Sequence, residues 1–221
     1  MNQIGSVFDI IGPRMTGPSS SHTAGAVRLS LVARKIAGED IAEARFILYG
    51  SFAETGRGHG TDKALIAGIL GMEPDDTSIR NAYAIAAERG VLVDMTFSDE
   101  QPAHPNTARI TVTSSKGKTT DVLGVSIGGG NIMITEINGL SVEFSGEYPT
   151  LIAQYKDEPG VIATISTVLS QLKINVAYMK VFRHGRGESA LMTIETDQVI
   201  TTEILNTIRL LCPTLEHVFA V

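Results

Sequence analysis

The chain of 221 residues has one cysteine, no tryptophan and only 5% aromatic residues. A single thiol excludes an internal disulfide, and it excludes any all-cysteine zinc or iron–sulfur site held by this chain alone. That thiol, Cys212, follows Ile208-Arg209-Leu210-Leu211 and precedes Pro213, at the apparent end of an amphipathic helix, where a buried structural cysteine is expected. No apolar stretch approaches the ~18 residues a membrane span needs. The N-terminus MNQIGSVFDIIGPRMTG lacks the basic start, apolar run and small-residue cleavage site of a signal peptide. No five like charges run together, the net charge is −6, and the basic footprint of a nucleic-acid binder is missing. A cytoplasmic protein is expected, with neither membrane nor nucleic acid as partner.

What is present is a globular balance, 43% hydrophobic and 19% charged, in a chain long enough for one large domain or two small ones. Residues 1–145 begin with a turn-rich segment, Gly12-Pro13 to Thr23. The run AGAVRLSLVARKIAG follows as a helix, with Ala24, Val27, Leu31 and Ile36 on one face and Gly38 as its stop. ARFILYG reads as a strand. SFAETGRGHG reads as a glycine-rich loop before the helix TDKALIAGILG, whose N-cap is expected at Thr61 or Asp62. A helix SIRNAYAIAAERG precedes the strand VLVDMTF. From Ala108 onward the apolar period becomes two, broken by turn signals at Lys116-Gly117, the triple glycine 128–130 and Asn138-Gly139. Helices before mainly antiparallel strands make the class α+β. Residues 148–221 then read strand–helix–strand–strand–helix–strand, a ferredoxin-like βαββαβ unit, with His184 in its hairpin and His217 in its last strand as structural or solvated groups. One face or edge of such a sheet must be covered, which favours pairing with another copy.

Ser19-Ser20-Ser21-His22-Thr23 stands directly before the first helix. Hydroxyls beside the free N–H groups of a first turn suit a carboxylate or other anion, and a histidine adds a group that titrates near neutral pH; plain capping by one serine is the alternative. Gly56-Arg57-Gly58-His59-Gly60-Thr61-Asp62 flanks a histidine with glycines. That suits a general base with little steric cover, or an ordinary exposed histidine on a flexible loop. The order is not that of a phosphate-binding Gly-Lys-Ser/Thr loop, and no Gly-x-Gly-x-x-Gly follows a strand as a nicotinamide site requires. Gly128-Gly129-Gly130 makes either an amide nest or a bulged turn. His104-Pro105-Asn106-Thr107 opens a strand, with Pro105 restricting His104 to an extended form. Asp157 precedes Pro159-Gly160, and Asn175 opens the adjacent strand, so the two can bracket a zwitterion across a ferredoxin-like dimer.

The ordered motifs GPSSSHTAG, GSFAETGRGHGTDKA, HPNTA and SIGGGN resemble the β subunit of the iron–sulfur-dependent bacterial L-serine dehydratases, over essentially the whole chain. The C-terminal region resembles an ACT domain, an amino-acid-sensing module. The N-terminal region is similar to the allosteric substrate-binding domain of some phosphoglycerate dehydrogenases. The resemblance implies formation of pyruvate and ammonia from L-serine with a [4Fe–4S] cluster ligated by cysteines of a separate α subunit, this chain supplying no metal ligand. It further implies His59 as the base for the α-proton, with Asp62 orienting its loop. Ser19, Ser20, Ser21, His22 and Thr23 are implied to hold the substrate, with weaker assignments to Asn106, Gly128, Gly129 and Gly130. In the ACT-like half, Asp157, Pro159, Gly160 and Asn175 are implied as a regulatory ligand site, and self-pairing is implied there too. A histidine base must be neutral, so turnover is expected to fall as pH drops through ~6–7, the ordinary imidazole range. The alternative is a non-catalytic amino-acid-sensing subunit that docks a partner enzyme.

Overall fold

The computed structural model describes residues 14–38, 40–183 and 185–221; the expectations for Gly12-Pro13, the N-terminal segment and His184 lie outside these. The chain divides into two compact units between Asn138 and Gly139.

In the first unit a π-helical turn, Ser20–Gly25, runs into helix α1, Ala26–Ala37. Ser19 is the expected serine cap, its side chain accepting from the backbone N–H of His22, and Gly38 ends α1 as expected, its N–H returning to the carbonyl of Arg34. The buried face agrees with the expected one in part: Ala24 and Val27 are buried, together with Leu29, Val32 and Ala33, whereas Leu31 and Ile36 are only half-buried. Strand β1 (Ile41–Gly50) leads directly into α2 (Ser51–His59) and α3 (Thr61–Ile69). The expected third helix is a 3₁₀ turn, Thr77–Asn81, followed by α4, Ala82–Glu88. Strands β2 (Leu92–Phe97), β3 (Asn106–Ser114), β4 (Thr119–Gly128) and β5 (Asn131–Ile137) complete the unit. The sheet order is β2-β1-β3-β4-β5, parallel between β1 and β2 and antiparallel from there on. Alternate residues, among them Phe46, Leu48, Ile110, Val122 and Ile134, are buried on one face. Leu29 of α1 reaches Gly124 on that face. Helix α1 also lies so close to α3 that a Cβ on Gly68 would stand 2.3 Å from the Val27 carbonyl oxygen.

One element corrects the sequence reading. Residues 51–59 form a helix and not a loop. Glycine inside a helix costs about 1 kcal/mol relative to alanine, and Gly56 and Gly58 argued for a loop on that ground. Phe52 outweighs them: it is fully buried, and burying such a side chain contributes about 1.5–3 kcal/mol. Gly60, at φ 71°, ends α2 in the left-handed conformation and is also the N-cap of α3. The cap is therefore neither Thr61 nor Asp62, and no side chain caps α3.

The second unit opens with β6, Leu140–Phe144, and then follows the βαββαβ order: β7 (Thr150–Lys156), α5 (Val161–Gln171), β8 (Val176–Arg183), β9 (Ser189–Thr196), α6 (Thr202–Leu211) and β10 (Leu215–Ala220). Its sheet runs β10-β7-β9-β8, antiparallel throughout. The core packs Ile165 and Leu169 of α5 and Ile208 of α6 onto Leu151, Tyr155, Met192 and Ile194. Cys212 sits in that core as expected, 4% exposed, and burial pushes its thiol pKa up. On β6, the Glu143 side chain pairs with Lys180, and Ser145 donates to the Glu195 carboxylate through its backbone N–H (2.8 Å) and its hydroxyl (3.1 Å).

Candidate functional site

Three of the singled-out segments converge where β1 passes into α2, and the fourth packs beside them. Gly50, the last residue of β1, pairs with Asn106 at the start of β3, and the Phe52 N–H donates to the Pro105 carbonyl at 3.4 Å. Asn106 donates from its side-chain amide to the Ser126 carbonyl at 3.3 Å. Gly25 of the π turn lies so close to Ser126 that a Cβ there would stand 2.1 Å from its hydroxyl oxygen. Segments far apart in sequence thereby meet at one end of the sheet, on a π turn of the kind that concentrates at functional sites.

At the centre two histidines face each other, the ring centroids of His22 and His59 being 4.9 Å apart. His59 Nδ1 lies 3.1 Å from the Thr55 carbonyl oxygen. A carbonyl only accepts, so Nδ1 carries the proton and the lone pair of neutral His59 is on Nε2. Among the described residues no hydrogen bond engages that Nε2. His22 is engaged at both nitrogens: Nδ1 with the Ser21 hydroxyl at 3.1 Å, and Nε2 with the hydroxyls of Ser51 at 3.2 Å and Thr55 at 3.1 Å. Ser19 and Ser21 bring their hydroxyl oxygens within 3.3 Å of each other. The arrangement offers a ring nitrogen for a proton beside a cluster of hydroxyl groups.

Burial holds the His22 pKa below its ordinary 6.5; the Ser51 carbonyl opposes this, and nearby His59 adds to the lowering. As pH drops below about 6.5, the unfolded chain takes up a proton that the folded chain still refuses, so stability falls until the lowered folded value is passed. Wild type is expected to lose more unfolding midpoint in urea between pH 7.5 and 5.5 than a His22→Gln variant. Equal losses would contradict it.

The remaining assigned residues are distributed as follows. Thr23 is buried, its hydroxyl without a hydrogen-bond partner among the described residues, and packs against Gly17. Asp62 accepts the Tyr83 phenol at 3.2 Å and has no hydrogen bond to His59 among the described residues. Burial, then Asp62, push that phenol's pKa up to about 12. Gly129 and Gly130, both at positive φ, form the two-residue hairpin turn between β4 and β5, and Arg28 donates to the Gly130 carbonyl at 2.8 Å. His104 Nδ1 accepts the Asn106 N–H at 3.2 Å. In the second unit Asp157, Pro159 and Gly160 line a hollow of about 330 Å³ with Tyr155, Arg183 and Arg186, while Asn175 lines a different one. Asn175 instead donates from its side chain to Asp197 at 2.8 Å.

Sequence reasoning missed Ser51, Thr55, Tyr83 and Ser126. The signal for the first two was the spacing: Ser51, Thr55 and His59 recur every four residues and share one helical face, which shows only once 51–59 is read as helix.

The fold and site define an α+β unit with paired histidines, followed by an ACT domain, whose family model matches residues 150–211. Residues 6–136 match the serine dehydratase beta chain family, and the chain belongs to that family. It is 48% identical to a probable L-serine dehydratase beta chain of Bacillus subtilis (strain 168), over 91% of each chain. It is 38% identical to an L-serine dehydratase beta chain of Peptoniphilus asaccharolyticus, over 92% of each. An L-serine dehydratase of Mycobacterium bovis (strain ATCC BAA-935 / AF2122/97) is 34% identical over 67% of this chain but only 36% of its own length.

Proposed function

We propose that this chain is the β subunit of an L-serine dehydratase, in which His59 Nε2 takes the α-proton of L-serine. The observation that carries the reading is the His59 ring: its Nδ1 donates to the Thr55 carbonyl, its Nε2 is left as the acceptor, and serine hydroxyls stand beside its neighbour His22. The α-proton is weakly acidic and needs a base held close to Cα. Ser19 and Ser21 hold the substrate beside that ring, and His22 orients Ser21. Loss of the α-proton and the β-hydroxide gives aminoacrylate, whose imine tautomer hydrolyses to pyruvate and ammonia.

The residues present do not fit a [4Fe–4S] cluster. The lone Cys212 is buried in the core of the second unit, and among the described residues no three His, Cys, Asp or Glu side chains stand together as a metal site. In this reading a separate cytoplasmic α subunit would ligate the cluster through its own cysteines, and the cluster would supply a Lewis acid. Two similar proteins bear the name beta chain, and the match to the M. bovis dehydratase covers 36% of that protein. Both support a catalytic unit larger than this chain.

The ACT domain is the regulatory part of the proposal. Asp157, Pro159 and Gly160 face a ligand, and two copies pair along strand β8. That strand is an edge of its sheet and leaves Tyr178 41% and Val181 39% exposed. Anaerobic affinity purification of this chain from its native host tests the reading. A cysteine-bearing partner, iron and serine-dependent pyruvate are expected in the eluate. An iron-free chain that still binds an amino acid would favour the sensing subunit and leave His59 without a catalytic part. Among the described residues no helix is long and apolar enough to cross a membrane.

A further inference from the structure

We propose that the turn Ser51–Thr55 of α2 is a tautomer lock that fixes His59 with its proton on Nδ1 and His22 with its proton on Nε2, which makes Ser51 and Thr55 positioning residues. The Thr55 hydroxyl donates to the Ser51 carbonyl at 2.9 Å. Its only proton is then spent, so towards His22 Nε2, 3.1 Å away, it acts as acceptor and the ring nitrogen donates. The Ser51 carbonyl lies 3.4 Å from the same nitrogen, and a carbonyl also only accepts. His22 is therefore the Nε2–H tautomer, and its Nδ1 receives the Ser21 hydroxyl proton at 3.1 Å. Burial, which holds His22 neutral, keeps this arrangement through neutral pH.

The same residue acts on the other ring through its backbone, since the Thr55 carbonyl takes the Nδ1 proton of His59. One residue thus gives two neighbouring imidazoles opposite tautomers, with the His59 lone pair on Nε2 and the His22 lone pair on Nδ1. The consequence for Ser21 is directional. Its hydrogen points at His22, and its oxygen accepts from Ser19, 3.3 Å away, while the Ser19 oxygen accepts the His22 backbone N–H at 3.2 Å. A turned His22 tautomer would reverse the Ser21 hydroxyl and present a ring N–H in place of an acceptor. The helical spacing explains why one turn reaches both rings. Ser51 and Thr55 are adjacent on one face, and His59 lies one turn further along it.

The catalytic consequence rests on the reading of His59 as base; the tautomers themselves do not. The test therefore has two arms. Long-range nitrogen–proton NMR of the histidine rings in the full chain reports each tautomer directly. Wild type is expected to show Nε2–H on His22 and Nδ1–H on His59. Ser51→Ala/Thr55→Val removes both hydroxyls and is expected to leave His22 a mixture of tautomers with His59 unchanged, since His59 relies on a backbone carbonyl. Thr55→Ser is expected to keep the wild-type pattern. In the assembled enzyme the double variant is expected to lose about tenfold in kcat with KM within about twofold, and Thr55→Ser to stay within about twofold of wild type. An Nδ1–H His22 in wild type, or unchanged His22 tautomers in the double variant, would overturn the lock. An altered tautomer with unchanged kcat would overturn the positioning role. A wild-type assembly that forms no pyruvate would instead strike the base assignment, and the ring spectra would still decide the lock.

Discussion

A His59→Ala variant, assembled with its partner, is expected to lose about 10²- to 10⁴-fold in kcat, the usual contribution of a positioned general base. The substitution is mild for the fold. His59 is the last residue of α2, alanine is the best helix former, and the Thr55–Ser51 back-bond that steadies the turn does not involve the ring. Iron content should not change, because the proposed cluster ligands belong to the partner. The expected pattern is therefore a fall in kcat at constant iron, with KM changed little because Ser19 and Ser21 remain. Near-normal turnover with the full iron complement would remove His59 from the proton transfer. His59→Gln sharpens the comparison: glutamine can keep a hydrogen bond to the Thr55 carbonyl but accepts no proton at neutral pH, so it should be as slow as alanine.

The second unit was legible almost element by element, because its strands are short apolar runs, β7 and β9 buried almost throughout, and its turns carry Gly, Pro or Asx signals. The first unit was legible from β3 onward for the same reason. Residues 51–59 were not. Local propensity pointed to a loop, and the helix depends on the burial of Phe52, a tertiary fact that no window of sequence contains. That one miss hid part of the candidate site. The two histidines were visible as residue types, but their common environment was not, since Ser51 and Thr55 acquire meaning only on a helical face. Asp62 shows the converse. Its place next to the His59 motif suggested a partner for that histidine, whereas the fold gives it Tyr83, which lies 21 residues further along. Asn106 and Ser126 were quoted in separate motifs, and only strand pairing of β3 with β4 brings them to one hydrogen bond.

Gly25→Ala is expected to be among the most damaging single-methyl changes in the first unit. The added Cβ would lie 2.1 Å from the Ser126 hydroxyl oxygen and 2.8 Å from its Cβ, on a strand whose neighbours leave no room: Ser126 is fully buried. Either the π turn or β4 must move. Overpacking of this kind costs about 1–3 kcal/mol, and a shift of the turn carries Ser21 and His22 with it. A misplacement near 1 Å at a positioned group costs about 10² in rate, so activity should fall further than stability does. The contact also supplies its own control. Ser126→Gly removes both clashing atoms, and because the Ser126 hydroxyl has no hydrogen-bond partner among the described residues, deleting it forfeits no bond there. The double variant Gly25→Ala/Ser126→Gly should be more stable than the sum of the two single changes allows, by about 0.5–3 kcal/mol of coupling, and should regain turnover. Urea unfolding of all four proteins measures that coupling. Additive losses would mean that the turn does not rest on Ser126, and that the approach of the SSSHTAG segment to the SIGGGN strand places nothing at the site.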